Sequence, residues 1–284
     1  MRTHIAFSIV AVLAVAACSS PPEKRSYPLQ GQVLAVTPDH QLATVKHEEI
    51  KGFMMAMTMA YKVSDPKLLN GIAPGDLINA TLVVEPNGAY LSDVKKVGEA
   101  PLEKAADAPS ATSGFELLKP GEQVPDADFV DQNGKKRTFS SFKGAPVALT
   151  FMYTTCPLPD FCPLMDRNFA AVQETIKSDP TLKSVHLVSI SFDPVTDTPA
   201  VLKQHATELR ADPARWTFLT GDRDTIDQFA SRLGLAITRD QANPVSIAHN
   251  LRTAIVDAEG RLVKVYTGNE WKPDQLAADL KALK

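Results

Sequence analysis

Residues 147–165 read Val-Ala-Leu-Thr-Phe-Met-Tyr-Thr-Thr-Cys-Pro-Leu-Pro-Asp-Phe-Cys-Pro-Leu-Met, and this stretch decides the fold of the chain. Its first seven residues are apolar enough for a buried strand, and apolar residues recur at helical spacing from Leu164 onwards. The predicted order is strand, cysteine loop, helix. Pro163 suits a first helical position, which puts Cys162 at the cap. The helix dipole and unpaired N–H groups there favour a thiolate, the form of cysteine that attacks disulfides and binds soft metals.

The pair Cys156 and Cys162 allows three interpretations. The simplest is a structural disulfide of an exported protein. Prolines 157, 159 and 163 stiffen the loop, and a short ring removes little entropy from the unfolded chain, so both features argue against a simple covalent staple. A redox-active pair and a pair of metal ligands remain.

Composition sets the frame for these interpretations. The chain has 284 residues, 44% of them hydrophobic and 22% charged, which is enough for two ordinary globular domains. Its net charge of −3 gives no reason to expect a nucleic-acid partner.

The first residues predict a leader and a lipid anchor. Residues 1–17 combine the positive Arg2, a short apolar run and small residues, and Cys18 follows them directly. This pattern resembles a bacterial lipoprotein signal, which implies acylation of Cys18 and anchoring outside the cytoplasmic membrane by two or three acyl chains. An ordinary signal peptide followed by a coincidental cysteine is the alternative.

The remaining chain divides by pattern into two domains. Residues 18–26 form a polar tether, and residues 27–98 contain five short β-type runs broken by turns, which predicts a small antiparallel β-barrel of the OB type. Residues 99–114 lack aromatic and β-branched apolar residues and predict a linker. Residues 115–284 follow the order strand, helix, strand, hairpin, helix of an α/β thioredoxin-like domain.

Three further segments of this second domain point to a family. With the cysteine loop, they are residues 189–199, residues 218–221, and residues 255–260 with a histidine shortly before them. Together they resemble the Sco/SenC family of membrane-associated copper chaperones, in which two cysteine thiolates and one histidine bind copper. By this resemblance the copper ligands are Cys156, Cys162 and His249.

The resemblance also implies a role and shows one departure. Sco proteins deliver copper to a cytochrome c oxidase or reduce the thiols of its copper site, which implies the copper-bearing oxidase subunit, another copper acceptor and a thiol reductant as partners. They usually have three residues between the cysteines, whereas this chain has five, from Pro157 to Phe161. We expect the longer loop to widen the bite angle or to add Asp160 as a nearby charge.

The first domain carries a second cluster of soft ligands. Four of the seven methionines lie within residues 54–59, and Met57 and Met59 point to the same face of a strand. Thioethers bind copper(I) or silver(I) and hardly bind zinc or magnesium. Methionine as adaptable core filling is the alternative.

This segment resembles the CusF-type periplasmic copper-binding domain, which carries a Met-Thr-Met signature. The resemblance implies His47, Met57 and Met59 as ligands. That family can place a tryptophan over the metal, and Met54 stands near its position here, so a third thioether, from Met54 or else Met55, is expected to replace it.

The sequence therefore predicts a lipid-anchored copper metallochaperone, and not primarily an enzyme, in which copper passes from the barrel to the thioredoxin-like domain. One rival hypothesis is a membrane-tethered thiol–disulfide oxidoreductase or peroxidase, with Cys156 as nucleophile and Cys162 as its disulfide partner. Another is a scavenger that confers copper or silver resistance.

Overall fold

The computed structural model describes residues 24–54, 56–102, 116–239 and 247–283. The predicted signal peptide, Cys18, Met55 and most of the linker lie outside these ranges. No helix within them has the length and apolar character needed to cross a membrane.

The N-terminal domain is a closed ring of strands. In the described residues the strands are β1 (Arg25–Val36), β2 (Leu42–His47), β3 (Met57–Val63), β4 (Asp76–Glu85) and β5 (Gly88–Glu99). They close in the order β1-β2-β3-β5-β4, which confirms the predicted barrel. The pairs are antiparallel except β3 with β5, which run parallel where the ring closes.

Inward-pointing apolar side chains stabilise this ring, and a close backbone contact between two of its strands requires a glycine. Val33, Val45, Leu82 and Leu91 are fully buried, because alternate residues of each strand point inward. At Gly31 a Cβ atom would lie 2.6 Å from the backbone carbonyl oxygen of Lys46, so the close pairing of β1 with β2 at this point requires glycine. Strand β1 begins inside the predicted tether because its first residues pair with β4.

The C-terminal domain is a sheet with helices packed against it. Its sheet strands are β6 (Asp128–Asp131), β7 (Lys136–Thr138), β8 (Val147–Met152), β9 (His186–Ser191), β10 (Trp216–Thr220), β13 (Arg252–Val256) and β14 (Leu262–Thr267). A separate ribbon contains β11 (Ile237–Arg239) and β12 (Ile247–His249). The helices are α1 (Cys162–Ser178), α2 (Pro199–Glu208), α3 (Arg223–Arg232) and α4 (Pro273–Lys281).

The sheet order is β14-β13-β8-β9-β10-β6-β7, with β8, β9 and β10 parallel at its centre. Every residue of β8 is buried, as expected for a strand covered on both faces. The buried stripe of α1 includes Phe169, whose ring centroid lies 5.9 Å from that of Trp216 and 6.1 Å from that of Trp271. This packing fixes the start of α1 at the end of β8 and so positions the cysteine loop.

A buried histidine–carboxylate pair connects two helices of this domain. The side chain of His205 on α2 is 17% exposed, and its Nε2 lies 3.0 Å from the carboxylate of Asp166 on α1. Burial alone would lower the pKa of His205. The hydrogen bond with Asp166 and the negative charge of that carboxylate outweigh burial, so the pKa of His205 is raised. The pair joins α2 to the first turns of α1.

Candidate metal centre

The cysteine loop connects β8 to α1 and places its two thiols at different depths below the protein surface. The helix begins at Cys162, with Phe161 as its cap, one residue earlier than the sequence predicted. Cys162 is 1% exposed, whereas Cys156 is half-buried. Both are free thiols in the structure, so the disulfide between them stays a prediction for the oxidised protein.

The surroundings of the two thiols move their pKa values in opposite directions. A hydrogen bond from the Cys162 thiol lowers the pKa of Cys156. Burial, and then the adjacent Cys156 charge, raise the pKa of Cys162 well above its usual value. Cys156 therefore ionises first and is the more reactive of the two sulfurs.

A buried carboxylate anchors the start of this loop. Asp197 is fully buried and accepts hydrogen bonds from the backbone N–H of Thr154 at 3.0 Å and from the hydroxyl of Ser191 at 2.6 Å. Its other oxygen accepts a short hydrogen bond from the Thr154 hydroxyl. Sequence reasoning used this segment only for the family resemblance. The feature that could have indicated this anchoring role is an acidic residue shortly after a buried strand, where a carboxylate can accept hydrogen bonds from the neighbouring loop.

Replacing Asp197 with alanine is expected to destabilise the C-terminal domain by about 3 kcal/mol, because three donors would lose their buried acceptor. Urea unfolding of the reduced protein measures the loss. The matched control is Asp222→Ala, which removes the exposed cap of α3 and should cost only about 1 kcal/mol. Equal losses in the two variants would contradict the anchoring role.

His249 ends strand β12 and faces the cysteine loop. The β11–β12 ribbon carries it. Its Nδ1 lies 2.8 Å from the carbonyl oxygen of Asn250, so Nδ1 is the donor and Nε2 keeps its lone pair. Aromatic rings pack on it, with centroid distances of 4.6 Å to Phe192 and 5.7 Å to Tyr153. Burial lowers the pKa of His249 to about 4, which keeps the imidazole in its neutral, metal-binding form.

These three side chains are neighbours without forming a finished coordination shell. Cys156 contacts Cys162, and Cys156 lines a cavity together with His249. Within the described ranges, however, no group of three or more histidine, cysteine, aspartate and glutamate side chains is close enough to hold a metal ion. The predicted ligands of this domain would have to close in around a metal.

In the barrel, the predicted histidine and methionine ligands share one face. His47 stands directly opposite Met57 in the β2–β3 ladder, and Met59 follows two residues later on the same side. His47 is 2% exposed, and its Nδ1 lies 2.6 Å from the carbonyl oxygen of Glu48. Its buried Nε2 has no hydrogen-bond partner in the part of the chain that the structure describes. An unpartnered imidazole nitrogen beside thioethers fits a soft metal ion.

Met54 lies next to this face. It pairs with Ile50 in an isolated bridge, is 7% exposed, and its sulfur lies 3.6 Å from the hydroxyl of Tyr61, which donates to it. Tyr61 is on the inward face of β3 with Met57 and Met59. Met54 is thus close to the face of β3 that carries Met57 and Met59, and its role as a third thioether ligand stays a prediction.

One cavity of about 200 Å³ brings the two predicted sites together. It is lined from the barrel by Met54, Met57 and Met59 and from the C-terminal domain by Cys156 and His249, and we call it the shared cavity. The sequence separates these sets by about a hundred residues, and the copper transfer predicted from it did not include a common cavity. Soft donors from two domains therefore face one space.

Two family models match this chain, one in each domain. The family model SCO1/SenC matches residues 119–284, and the model for the copper binding periplasmic protein CusF matches residues 26–96. The SCO1 protein homolog of Bacillus subtilis is 29% identical over 175 residues, covering 61% of this chain and 89% of that protein. A "Putative copper-binding protein" of Stutzerimonas stutzeri is 30% identical over 149 residues, which cover 51% of this chain and 70% of that protein.

Solved structures give the same result for the C-terminal domain. A SCO1/SenC family lipoprotein from Bacillus anthracis is 27% identical, with a TM-score of 0.52 over 59% of this chain and 99% of that one. BsSco, described as a member of the Sco family of cytochrome c oxidase assembly proteins with a disulfide switch, is 26% identical, with a TM-score of 0.50 over 59% and 98%.

Fold and site together define a thioredoxin-like copper-binding protein with a second copper-binding domain before it. The chain belongs to the SCO1/SenC family and carries an N-terminal CusF-type domain. Copper is the metal to which both domains point, as the sequence predicted.

Proposed function

We propose that this protein is an extracytoplasmic copper chaperone with two copper sites. The observation that carries the proposal is the shared cavity, because three thioethers, a thiolate-forming cysteine and a neutral histidine face it. The ligands at the C-terminal site are Cys156, Cys162 and His249. The ligands at the barrel site are His47, Met54, Met57 and Met59.

The donor chemistry favours copper(I). Thiolate and thioether ligands select Cu(I), and a neutral imidazole suits copper as well. Both histidines present Nε2 because a backbone carbonyl holds their Nδ1–H, an orientation that second-layer hydrogen bonds commonly give to metal-binding histidines. A site with few ligands, none of them locked in a closed shell, can take up copper and release it to an acceptor.

The copper acceptor that we propose is the copper site of a respiratory cytochrome c oxidase. Support comes from BsSco, whose family is described as one of cytochrome c oxidase assembly proteins. Delivery of copper, or reduction of the acceptor's thiols with a thiol reductant as partner, would both serve that assembly. Acylation at Cys18 would hold the chain at the membrane that carries the oxidase, in line with a lipoprotein relative and a periplasmic domain model.

Complementation of a gene deletion tests this role. Oxidase activity should fall in the deletion strain, return with the wild-type gene, and stay low with Cys156→Ser. Lys177→Ala, at an exposed residue in the last turn of α1 and so at the opposite end of that helix from Cys162, is the control and should restore activity fully. Full oxidase activity in the deletion strain, with only its copper tolerance lost, would show a scavenger instead.

One observation favours a second function, thiol–disulfide exchange. Cys156 is half-buried with a lowered pKa and contacts a buried thiol that could resolve a mixed disulfide. His249→Ala separates the two functions. An oxidoreductase should keep most of its disulfide-reduction rate in this variant, whereas the affinity of the C-terminal site for copper should fall.

A further inference from the structure

The middle of the cysteine loop packs into the other domain. Leu158 is 2% exposed and belongs to the hydrophobic cluster of the barrel, together with residues such as Ala89 and Leu91. Its neighbours Cys156 and Phe161 pack against the cores of both domains. The loop that separates the two thiols is therefore also an interdomain contact.

Asp160 extends this contact to the β4–β5 turn. Its carboxylate lies 3.6 Å from the position that a Cβ atom would take on Gly88. On the other side, the loop is tied to its own domain, because the carbonyl oxygen of Asp160 accepts from Asn269 at 2.6 Å and that of Pro159 accepts from Arg167 at 2.8 Å. These two hydrogen bonds hold the loop on its own domain, and Leu158 and Asp160 contact the barrel from its other side.

These contacts explain why five residues separate Cys156 from Cys162. The residues between the thiols are those that reach the barrel, and strand β12, which carries His249, contacts β3, which carries Met57 and Met59. We propose that the loop from Cys156 to Cys162 is a docking element that holds the barrel over the cysteine site. Copper(I) then passes between the methionine site and the cysteine site inside the shared cavity. This inference rests on the copper sites of the proposed function.

The transfer is a ligand exchange without electron transfer. Copper stays Cu(I), bonds to the barrel's thioethers and imidazole break, and bonds to thiolate and to the imidazole of His249 form. Each cysteine that binds as thiolate releases its proton to solvent. The exchange runs towards the cysteines, because an anionic thiolate binds Cu(I) more tightly than a neutral thioether does. An external acceptor reaches Cys156 once the barrel lifts away.

Docking can be weakened from either domain without touching a predicted ligand. Leu158→Ser removes the apolar side chain from the barrel. Gly88→Glu puts a carboxylate beside Asp160, and Gly88→Lys is its matched control of similar size and opposite charge. The backbone of Gly88 is outside the left-handed region and a Cβ there meets only ordinary contacts, so a side chain can begin at this position without backbone strain.

The first readout is the alkylation rate of Cys156 in the full, reduced, copper-free chain. Leu158→Ser should raise this rate on the order of tenfold, since burial of a leucine side chain favours the docked state by that factor or more. Gly88→Glu should raise it too, and Gly88→Lys should leave it near the wild-type value. Wild-type rates in both Leu158→Ser and Gly88→Glu would overturn the proposal.

The second readout is copper transfer within one chain. After one equivalent of Cu(I) is added, movement to the thiolates should be independent of protein concentration in the wild type and in Gly88→Lys, and slower in Gly88→Glu. Equal rates in the two Gly88 variants would overturn the relay. Failure to bind copper at either site would instead defeat the proposed function, while the alkylation result would still report on docking.

Discussion

Replacing Cys156 with serine is expected to abolish copper binding at the C-terminal site. Loss of a residue that hydrogen-bonds to a metal ligand typically lowers metal affinity by ~10–100-fold. Because this substitution removes a direct thiolate ligand, the affinity for Cu(I) at this site should fall by more than that. Cys162 and His249 are unable to compensate, since one sulfur and one imidazole leave the site with two of its three proposed ligands. In competition with a Cu(I) chelator, the reduced variant should hold one ion per chain where the wild type holds two.

The ion that remains identifies the barrel site. In Cys156→Ser it should be bound by thioethers and imidazole, and X-ray absorption should report sulfur and nitrogen neighbours around it. His249→Ala should lower the affinity of the same C-terminal site as Cys156→Ser, because the two residues line one cavity. Two ions bound with wild-type affinity in Cys156→Ser would show that this cysteine is not a ligand.

Replacing Met57 with leucine is expected to remove copper from the barrel. Leucine keeps the apolar volume, so the barrel should lose less than about 1.5 kcal/mol of stability, whereas the affinity for Cu(I) should fall at least about tenfold as the thioether opposite His47 is lost. Titration of reduced protein with Cu(I) measures the fall, and the affinity of the cysteine site should not change.

Met152→Leu is the matched control for this substitution. Met152 is fully buried in β8, in the core of the other domain, and does not line the shared cavity. The same change of sulfur for carbon should therefore leave both copper affinities at their wild-type values. If Met57→Leu also binds copper as the wild type does, the methionines of the barrel are core filling.

The strands and helices of both domains could be predicted because local patterns specify them. Alternating residues in β2 and β3 mark half-buried strands, and the apolar run of β8 marks a central one. The parallel closure of β3 against β5 was not predictable, because it joins residues that no turn connects. The pairing of His205 with Asp166 was not predictable for a similar reason, since the two residues lie on different helices.

The residues of the candidate site could be proposed one by one from the sequence, whereas their arrangement could not. Residue types and resemblance pointed to His47, Met57 and Cys156, since soft donors are rare and their spacing is distinctive. The meeting of the two sites depends on Leu158, which in the sequence is one apolar residue in a proline-rich loop. Only the tertiary structure shows that its side chain is buried in the barrel.

The most direct test of the account is the number of copper ions that the reduced full chain binds. We expect two Cu(I) per chain in competition with a chelator, one at the cysteine site and one at the barrel. A reduced, folded protein that binds no Cu(I) at either place would contradict the claim that the sulfur donors facing the shared cavity exist to hold and pass on copper.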